Sequence, residues 1–231
     1  ERSAAQMSMI FQHPTSALNP TMRIGHQVGR VIQINQRLGR TQSLEAAVEL
    51  LKHVGIPGAK RVARNFPHQL SGGMCQRVMI AMAVACQPRL LIADEPTTAL
   101  DVTVQAQIFD LIKSLVSEIG CGVLFITHDL GAVAEMADRV AVMYGGQVME
   151  ESPVRDLLAK PRHPYTRYLL ESVVREVDHR VEDIGVDFAL TGCRFGHRCP
   201  YVHEKCNGFP PLVEISPSRR VSCFLRTEEL R

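Results

Sequence analysis

One short apolar run that ends in two carboxylates restricts the fold of this sequence more than any other feature. Residues 90–93 (Leu-Leu-Ile-Ala) are all apolar, and Asp94 and Glu95 follow them directly. A strand that is apolar at every position is typical of a parallel sheet with helices on both faces. Ligands bind beyond the carboxyl ends of parallel strands, so the two acidic side chains stand where a site can form. An ordinary strand followed by a charged turn is the alternative.

The rest of the chain alternates between strand and helix patterns. Further strands are predicted at residues 7–12, 122–127 and 140–143, and helices at 74–86, 104–119 and 132–137. The strand at 122–127 is predicted to be buried on both faces, like that at 90–93, and a turn is predicted at Gly145-Gly146. After Glu151 the pattern predicts two short helices broken by prolines, and a charged segment begins at about Arg175. Residues 24–54 also have helical spacing, with Ser43 as a candidate N-cap and Gly55 as a candidate stop. Such alternation predicts an α/β fold with a doubly wound parallel sheet.

Composition excludes several classes of protein. The net charge is +2, from 26 basic and 24 acidic residues, which gives no strong attraction to nucleic acid or to an anionic membrane. The longest apolar run, residues 78–86, is far shorter than the roughly 20 residues that a spanning helix needs. The cysteines are odd in number, 7 in all, and four crowd into the last 40 residues, which argues against a secreted disulfide framework.

A second motif opens the helix predicted at residues 74–86. Leu70-Ser71-Gly72-Gly73 places backbone N–H groups without side-chain cover at a helix start, which suits a phosphate oxygen. A plain serine N-cap with two flexible glycines is the alternative for this motif alone. Its position ahead of Asp94-Glu95 favours the phosphate interpretation.

The motifs occur in an ordered set that resembles the ATP-binding-cassette (ABC) ATPase family over about residues 7–150. The set consists of Gln12, Leu70-Ser71-Gly72-Gly73, Asp94-Glu95, Ala99-Leu100-Asp101 and Thr127-His128-Asp129. The resemblance implies a P-loop NTPase-like parallel sheet core with an inserted helical subdomain, at about residues 20–86. It also implies ATP and Mg²⁺ as ligands.

Individual roles follow from the same resemblance. Glu95 is expected to be the catalytic glutamate and His128 the switch histidine that senses the γ-phosphate, while Gln12 and Asp94 are expected to serve Mg²⁺. Nucleotide contacts from the signature motif and the D-loop are expected at Ser71, Gly72, Gly73, Gln76 and Asp101. Cys75, just before Gln76, replaces a polar or basic residue of the family, and it is either a neutral change or an oxidation-sensitive position.

A phosphate-binding loop of the form Gly-x-x-x-x-Gly-Lys-Ser/Thr does not occur in these 231 residues, and none of the five lysines follows a glycine. The family carries this loop upstream of the glutamine that corresponds to Gln12, and the sequence starts with Glu1. We therefore expect a truncated form that binds ATP weakly and hydrolyses little alone. A catalytically incomplete remnant that supports a partner ATPase is the alternative.

Two segments narrow the resemblance to ATPase subunits of oligopeptide and dipeptide importers. They are residues 12–20 and the segment His163-Pro164-Tyr165-Thr166. This implies import of di- or oligopeptides at the cytoplasmic face of the inner membrane, although glutathione or nickel is an alternative cargo. The implied partners are a second ABC ATPase subunit, identical or different, transmembrane permease subunits and an extracytoplasmic peptide-binding protein. A soluble ABC ATPase acting on nucleic acid or ribosomes is disfavoured, because heptads and a strongly basic patch are missing from the sequence.

Four cysteines near the C-terminus are candidate ligands of a metal centre. Cys193, Cys199, Cys206 and Cys223 lie within 31 residues, enough for one tetrahedral zinc or an iron–sulfur cluster. The spacing resembles the C-terminal motif of peptide-transporter ATPases, which implies a [4Fe–4S] cluster. Zinc and unliganded thiols are the alternatives. We expect an ABC ATPase domain over residues 1–152 and a C-terminal extension with this four-cysteine module over 153–231.

Overall fold

A three-stranded parallel sheet organises the first of two units in this computed structural model, which describes residues 6–98, 100–175 and 191–225. One unit extends to His128 and the other begins at Asp129. The strands of the first sheet are β1 (Met7–Ile10), β2 (Leu90–Asp94) and β3 (Gly122–Ile126), in the order β1-β2-β3. In register, Met7 lies beside Leu90, and Leu90 lies beside Gly122. All three carboxyl ends therefore meet at one edge of the sheet.

The prediction of a parallel sheet is confirmed, but the prediction that β3 is buried on both faces is wrong for the described residues. Leu91 and Ala93 of β2 are buried, whereas Leu124 and Ile126 of β3 are 50% and 44% exposed. The reason is position, because β3 is the outer strand of the described sheet and β2 is its centre. A continuous apolar run alone does not distinguish these two positions.

Six helices accompany this sheet in the described part of the first unit. They are α1 (Pro14–Ala17), α2 (Ile24–Gln36), α3 (Arg40–His53), α4 (Ala59–Val62), α5 (Gly72–Val84) and α6 (Val102–Ile119). The core contains apolar side chains of α2, α3, α5 and α6, among them Ile24, Val28, Leu51, Ile80, Ile108 and Ile112. A 3₁₀ turn over Pro67–Gln69 precedes α5.

Ser43 is not an N-cap, which corrects one expectation. The helix that contains it begins at Arg40, with Gly39 as its N-cap. Ser43 is buried inside α3, and its hydroxyl donates a 2.9 Å hydrogen bond to the carbonyl oxygen of Arg40. A serine hydroxyl can bond a carbonyl of the preceding turn, so serine alone does not fix a helix start. Gly55 does follow the helix, with a φ of 76° that favours glycine.

The second unit is built on an antiparallel sheet with short helices. Its helices are α7 (Leu130–Met136), α8 (Val154–Ala159) and α9 (Pro164–Arg175), and 3₁₀ turns cover Gly196–Arg198 and Glu204–Asn207. Its strands are β4 (Arg139–Tyr144), β5 (Gln147–Pro153), β6 (Val213–Ser216) and β7 (Arg219–Val221), in the order β4-β5-β7-β6. The two short helices predicted around the prolines after residue 151 are therefore confirmed.

The strand predicted at residues 140–143 does not continue the parallel sheet. It pairs antiparallel with β5 through a hairpin whose turn residues, Gly145 and Gly146, both have positive φ. Glycine accepts this conformation readily, and such turns match the twist of a two-strand ribbon. The helix–strand alternation along the chain therefore ends after β3 in the described sheet.

None of the helices in the described ranges is long and apolar enough to cross a membrane. The predicted domain limits at residues 152 and 153 stay a prediction. The charged segment noted after Arg175 falls largely on residues 176–190, outside the described part of the chain.

Candidate functional site

Three predicted site residues meet at the carboxyl edge of the parallel sheet. Gln12 follows β1, Glu95 follows β2, and His128 follows β3. The amide nitrogen of Gln12 donates a 2.6 Å hydrogen bond to Oε2 of Glu95, and Nδ1 of His128 lies 3.0 Å from Oε1 of the same carboxylate. Residues separated by up to 116 positions in sequence are thus joined on one carboxylate, as expected for the ends of adjacent parallel strands.

A further residue, Thr98, completes this arrangement and was missed in the sequence. Its hydroxyl donates a 2.8 Å hydrogen bond to Oε2 of Glu95. A turn brings it there, because the backbone N–H of Thr98 also donates to the carbonyl oxygen of Glu95 at 3.2 Å. The only available signal was a hydroxyl three residues after the acidic pair, across Pro96, which is common turn chemistry.

The backbone of Glu95 is strained at the point where the strand ends. Its φ is 44°, in the left-handed region that non-glycine residues rarely adopt. The N–H of Glu95 donates a 2.9 Å hydrogen bond to the carbonyl oxygen of Ile126, which anchors this conformation to β3. Such strain costs about 1–3 kcal/mol and is found preferentially at functional sites.

The contacts around Glu95 favour its ionised form. The hydrogen bond from His128, followed by that from Thr98, lowers the pKa of the Glu95 carboxyl below its ordinary value, and partial burial opposes this only in part. Hydrogen bonds to a carboxylate stabilise the charged state. Oε2 accepts from two side chains and Oε1 from one, so a lone pair of Oε1 suits a further donor such as water.

Asp94 and Gln12 are the oxygen donors that suit a divalent cation here. Asp94 is the last residue of β2, half-buried and in register with Ile126. The Gln12 amide uses its nitrogen on Glu95, which leaves its oxygen for a cation. Mg²⁺ prefers oxygen ligands and keeps several waters, so a small set of this kind fits its chemistry.

The residues predicted to belong to the signature motif and the D-loop form a second group, called here the signature group, at the starts of α5 and α6. Ser71 is the N-cap of α5 and accepts from the N–H of Met74 at 3.3 Å, and Asp101 is the N-cap of α6. Gly73 lies against α6, because a Cβ there would approach Cγ1 of Val104 at 3.1 Å, and Gly72 faces Leu100. The glycines therefore permit close packing of the two helix starts.

Two residues next to the signature are buried. Gln76 is 1% exposed, and its side-chain nitrogen finds no hydrogen-bond partner among the described residues. Cys75 is fully buried with Sγ 3.6 Å from the carbonyl oxygen of Pro67, and burial raises the pKa of its thiol. A buried thiol that stays protonated is a poor target for oxidation, so these features favour a neutral substitution at Cys75.

The four C-terminal cysteines line one pocket in the second unit. The pocket wall also contains apolar and aromatic side chains, chiefly Phe195, Pro210 and Phe224, together with His163. All four thiols are free, and no three ligating side chains among the described residues are close enough to hold a metal ion as they stand. The structure thus brings the predicted ligands to one place without the spacing of a metal centre.

A glycine allows two segments of the pocket wall to approach each other closely. The N–H of Cys193 donates a 2.9 Å hydrogen bond to the carbonyl oxygen of Cys206. Gly192, just before it, has a φ of 89°, and a Cβ there would lie 2.6 Å from the carbonyl oxygen of Cys206. Only glycine fits at this position without a backbone shift.

Three thiols of this pocket are disfavoured as thiolates. Burial is the main cause that raises the pKa of Cys193, Cys199 and Cys223, the last to about 11, and the neighbouring cysteines raise these values further. Their mutual influence shows that the four sulfurs lie within electrostatic reach of one another. A cationic centre among them would reverse this preference, because thiolates are the ligands that such centres bind.

Comparison with known proteins assigns two parts of the chain to family models. Residues 1–98 match the ABC transporter model, and residues 149–206 match the model for the C-terminal region of oligopeptide/dipeptide transporters. A relative described as a putative peptide import ATP-binding protein of Brucella melitensis is 48% identical, over 97% of this chain and 70% of its own length.

Other relatives carry similar names. The oligopeptide transport ATP-binding proteins AppD of Bacillus subtilis and OppD of Salmonella typhimurium are each 46% identical, over 97% and 98% of this chain and 71% and 70% of their own lengths. Among solved structures, the ATP-binding cassette MJ0796, in a dimeric post-hydrolysis state bound to ADP and Pi, matches with a TM-score of 0.58 and 31% identity. That match covers 66% of this chain and 64% of the cassette.

Proposed function

Because this chain belongs to the family of ATP-binding subunits of ABC peptide transporters, we propose that it hydrolyses ATP to drive the import of di- or oligopeptides. The observation that carries the proposal is the Glu95 carboxylate at the carboxyl edge of the parallel sheet. Gln12, Thr98 and His128 hold it from three sides. Peptide cargo is supported by the printed names of the relatives and by the match of residues 149–206.

In this proposal Glu95 is the general base. Its ionised carboxylate accepts a proton from the water that attacks the γ-phosphate, at the lone pair of Oε1 that the described contacts leave available. His128 and Thr98 fix the carboxylate in place and keep its pKa low. Gln12 and Asp94 would hold Mg²⁺, which supplies neutralisation of the phosphate charge.

Residues at the starts of α5 and α6 are proposed to bind ATP and not to activate the attacking water. We infer that Ser71, Gly72 and Gly73 contact the phosphate of ATP held by a second ATPase subunit, identical or different, with Asp101 at the same interface. Their support is a helix start with small residues, which presents backbone N–H groups to an anion. The dimeric state of the MJ0796 cassette is consistent with a paired arrangement. Gln76, whose side chain is buried, would act by holding α5 in place.

The remaining partners follow from the proposed importer. We propose that the helices of residues 20–86 form a subdomain that contacts transmembrane permease subunits at the cytoplasmic face of the membrane. An extracytoplasmic peptide-binding protein would select the cargo. The match to the C-terminal region of oligopeptide/dipeptide transporters supports this assembly.

Replacement of the general base tests the central proposal. In the assembled transporter, Glu95→Gln keeps the size of the side chain but removes the basic oxygen, so ATP hydrolysis should fall about 100-fold or more. Peptide uptake should fall with it. Glu151→Gln, in the second unit, is the matched control and should retain activity. Equal hydrolysis by wild type and Glu95→Gln would contradict the proposal.

A second proposal concerns the C-terminal pocket, where we infer a [4Fe–4S] cluster, with zinc as the alternative. Its support is that Cys193, Cys199, Cys206 and Cys223 all line one largely apolar pocket, a donor set that suits either centre. The four sulfurs do not have to be at ligand distance before the metal centre binds, because binding of the centre and the final folding of its site are coupled. Such a centre would stabilise a module with few buried apolar side chains.

Anaerobic purification tests the cluster. The expected result is a brown protein that contains about four iron and four sulfide per chain and loses both after Cys199→Ser. Cys86→Ser, outside the pocket, is the matched control and should keep them. Stoichiometric zinc without iron would overturn the cluster in favour of zinc, and metal-free protein would overturn both.

A further inference from the structure

A buried histidine of the His-Pro-Tyr segment lines the same pocket as the four cysteines. His163 is 1% exposed, and its Nε2 has no hydrogen-bond partner among the described residues. The backbone of Ser222, the residue before Cys223, is close enough to act on the imidazole, yet it leaves Nε2 without a well-formed hydrogen bond. Because buried polar groups are almost always paired, an unpaired ring nitrogen beside four thiols points to a partner inside the pocket.

The other ring nitrogen fixes where the hydrogen resides. Nδ1 of His163 accepts a 3.0 Å hydrogen bond from the backbone N–H of Tyr165. An accepting nitrogen carries a lone pair, so the ring hydrogen of His163 is on Nε2. Nε2 is therefore a donor, and besides the poorly aligned backbone of Ser222 the side-chain acceptors that line the pocket include the four cysteine sulfurs.

A buried carboxylate holds His163 and the strand that leads to Cys223. Glu150, in β5, accepts from the backbone N–H of His163 at 2.8 Å and of Arg162 at 3.0 Å. The guanidinium of Arg219, in β7, donates to the same carboxylate at 3.2 Å. Glu150 is fully buried, and Cys223 comes two residues after β7 ends. One side chain thus sets the separation between the imidazole and one of the four cysteines.

Aromatic contacts fix the plane of the imidazole. Phe195, which lies between Cys193 and Cys199 in sequence and is 3% exposed, has its ring centroid 6.1 Å from that of His163. The ring of Tyr165 lies 5.3 Å from Phe195 on the same cluster. Packing of this kind limits rotation about χ2, so the Nε2 donor keeps one direction.

Resting on the proposed four-cysteine site, we propose that His163 is its positioning residue and donates an Nε2 hydrogen bond to a cysteine sulfur of the occupied site. A donor to a ligand sulfur withdraws negative charge and makes the centre easier to reduce. The His-Pro-Tyr segment would thus raise the reduction potential of the C-terminal site. Neither the cysteine spacing nor the ATPase motifs predict this contact.

Reduction potentials measured by EPR on the full chain test this. The wild type, His163→Leu and His163→Gln are reconstituted anaerobically with ferrous iron and sulfide. His163→Leu should lower the potential enough to change the reduced-to-oxidised ratio at least tenfold, about 59 mV for one electron. His163→Gln, which keeps an N–H donor at similar reach, should restore most of the difference. A potential unchanged in His163→Leu would overturn the proposal.

A second measurement on the wild type does not depend on a variant that folds. With ¹⁵N-labelled histidine, the reduced centre should show a weak magnetic coupling that His163→Gln removes, whereas any coupling from His203, whose Nδ1 lies 3.3 Å from Sγ of Cys206, should remain in that variant. Absence of that coupling in a fully loaded wild type would overturn the role of His163 alone. Wild-type protein that takes up no iron and sulfide would instead overturn the four-cysteine site together with this role.

Discussion

In the proposed mechanism, Glu95 concentrates the functional chemistry of the first unit in one side chain. Its carboxylate accepts from three residues, and its backbone adopts a left-handed conformation at the end of β2. The three contacts hold the carboxylate in one orientation, which a general base requires because proton transfer depends on alignment. The strain of this position is then offset by contacts that a plain charged turn would not make.

Thr98 gives the first prediction, since only the structure reveals its contact. Thr98→Val keeps the shape of the side chain but removes the hydroxyl that donates to Oε2 of Glu95. The pKa of Glu95 should rise toward its ordinary value and the carboxylate should become mobile, so ATP hydrolysis by the assembled transporter should fall about 10-fold. Steady-state hydrolysis as a function of ATP concentration measures this.

Thr98→Ser is the control for that prediction, because serine retains the donor and should retain most of the activity. A loss confined to KM, with kcat unchanged, would contradict the role of Thr98 in aligning the base. Equal activity of the valine and serine variants would contradict it too.

The sequence predicted the members of this site but not its geometry. Glu95 was a candidate because it follows an apolar strand, and Gln12 and His128 were identified by the resemblance to the ABC ATPase family; their meeting follows because parallel strands end at one edge. The positive φ of Glu95 and the contact from Thr98 depend on how one turn closes, which side-chain patterns do not encode. The convergence was therefore predictable, and its third hydrogen bond was not.

At the level of elements, predictions based on local chemistry succeeded where the helix or turn is self-contained. Ser71 is the N-cap of α5, as the alternative interpretation of that motif has it, and Gly145-Gly146 forms a turn. The prediction for residues 140–143 was wrong in strand direction, because periodicity reports burial and not the pairing partner. The prediction that Ser43 is an N-cap was also wrong, because its hydroxyl donates a hydrogen bond within the helix that it was expected to start.

The antiparallel sheet carries a pH-dependent contribution to stability. Glu151 in β5 pairs with Arg139 of β4, at 3.0 Å, and with Arg220 of β7, and these arginines lower its pKa, with the Arg139 hydrogen bond as the largest cause. Because the folded-state pKa is the lower one, the stabilisation is complete above the ordinary value of 4.5. It is lost as the pH falls through the lowered pKa.

Glu151→Gln should therefore lower the free energy of unfolding by about 1 kcal/mol or less at pH 7, since both arginines are partly exposed and screened by water. The difference from wild type should shrink as the pH falls below 4.5 and disappear below the lowered pKa of Glu151. Urea unfolding over a series of pH values from 7 downward measures it, with Glu214→Gln on β6 as the control. A difference that is the same at every pH would show that the carboxylate charge is not its cause.

Gly192 offers a test of how the cysteine pocket closes. Gly192→Ala combines a positive φ with a Cβ 2.6 Å from the carbonyl oxygen of Cys206, so the backbone must shift and the hydrogen bond between Cys193 and Cys206 should weaken. Uptake of iron after anaerobic reconstitution should fall at least several-fold, and the unfolding temperature should drop.

Gly146→Ala is the matched control for this change, because Gly146 has a φ of 79° but nothing within 4 Å of the added Cβ. It carries the cost of the left-handed backbone, about 1 kcal/mol, without the clash. If both variants took up iron equally, the close approach of residues 192 and 206 would be irrelevant to the site.

At the scale of the whole molecule, the chain joins two sites with different origins in the sequence. The Glu95 site arises from the ends of three parallel strands, which repeat one pattern and were predictable together. The cysteine pocket instead combines β5, the start of α9 and loops after residue 190, and their convergence on Glu150 and Phe195 has no periodic signal. Spacing identified the four cysteines, whereas the participation of His163 required the three-dimensional arrangement.

The complete set of residues needed for ATP turnover gives the last prediction. In the proposed mechanism the Glu95 site and the signature group provide a base and one phosphate contact, but these 231 residues contain no Gly-x-x-x-x-Gly-Lys-Ser/Thr loop. Without the backbone N–H groups and lysine of such a loop, positioning of the phosphates is lost, and positioning is most of the catalysis in phosphoryl transfer. The 231-residue chain alone should therefore hydrolyse ATP at least 100-fold more slowly than full-length OppD of Salmonella typhimurium.

Phosphate release and the affinity for a fluorescent ATP analogue measure this, with Glu95→Gln of the same 231 residues as the blank. Any residual rate that survives in the blank does not come from the Glu95 site. Turnover by the wild-type chain at one per second or faster, abolished by Glu95→Gln, would contradict the prediction. It would mean that Ser71–Gly73 and the edge of the parallel sheet can hold the phosphates without that loop.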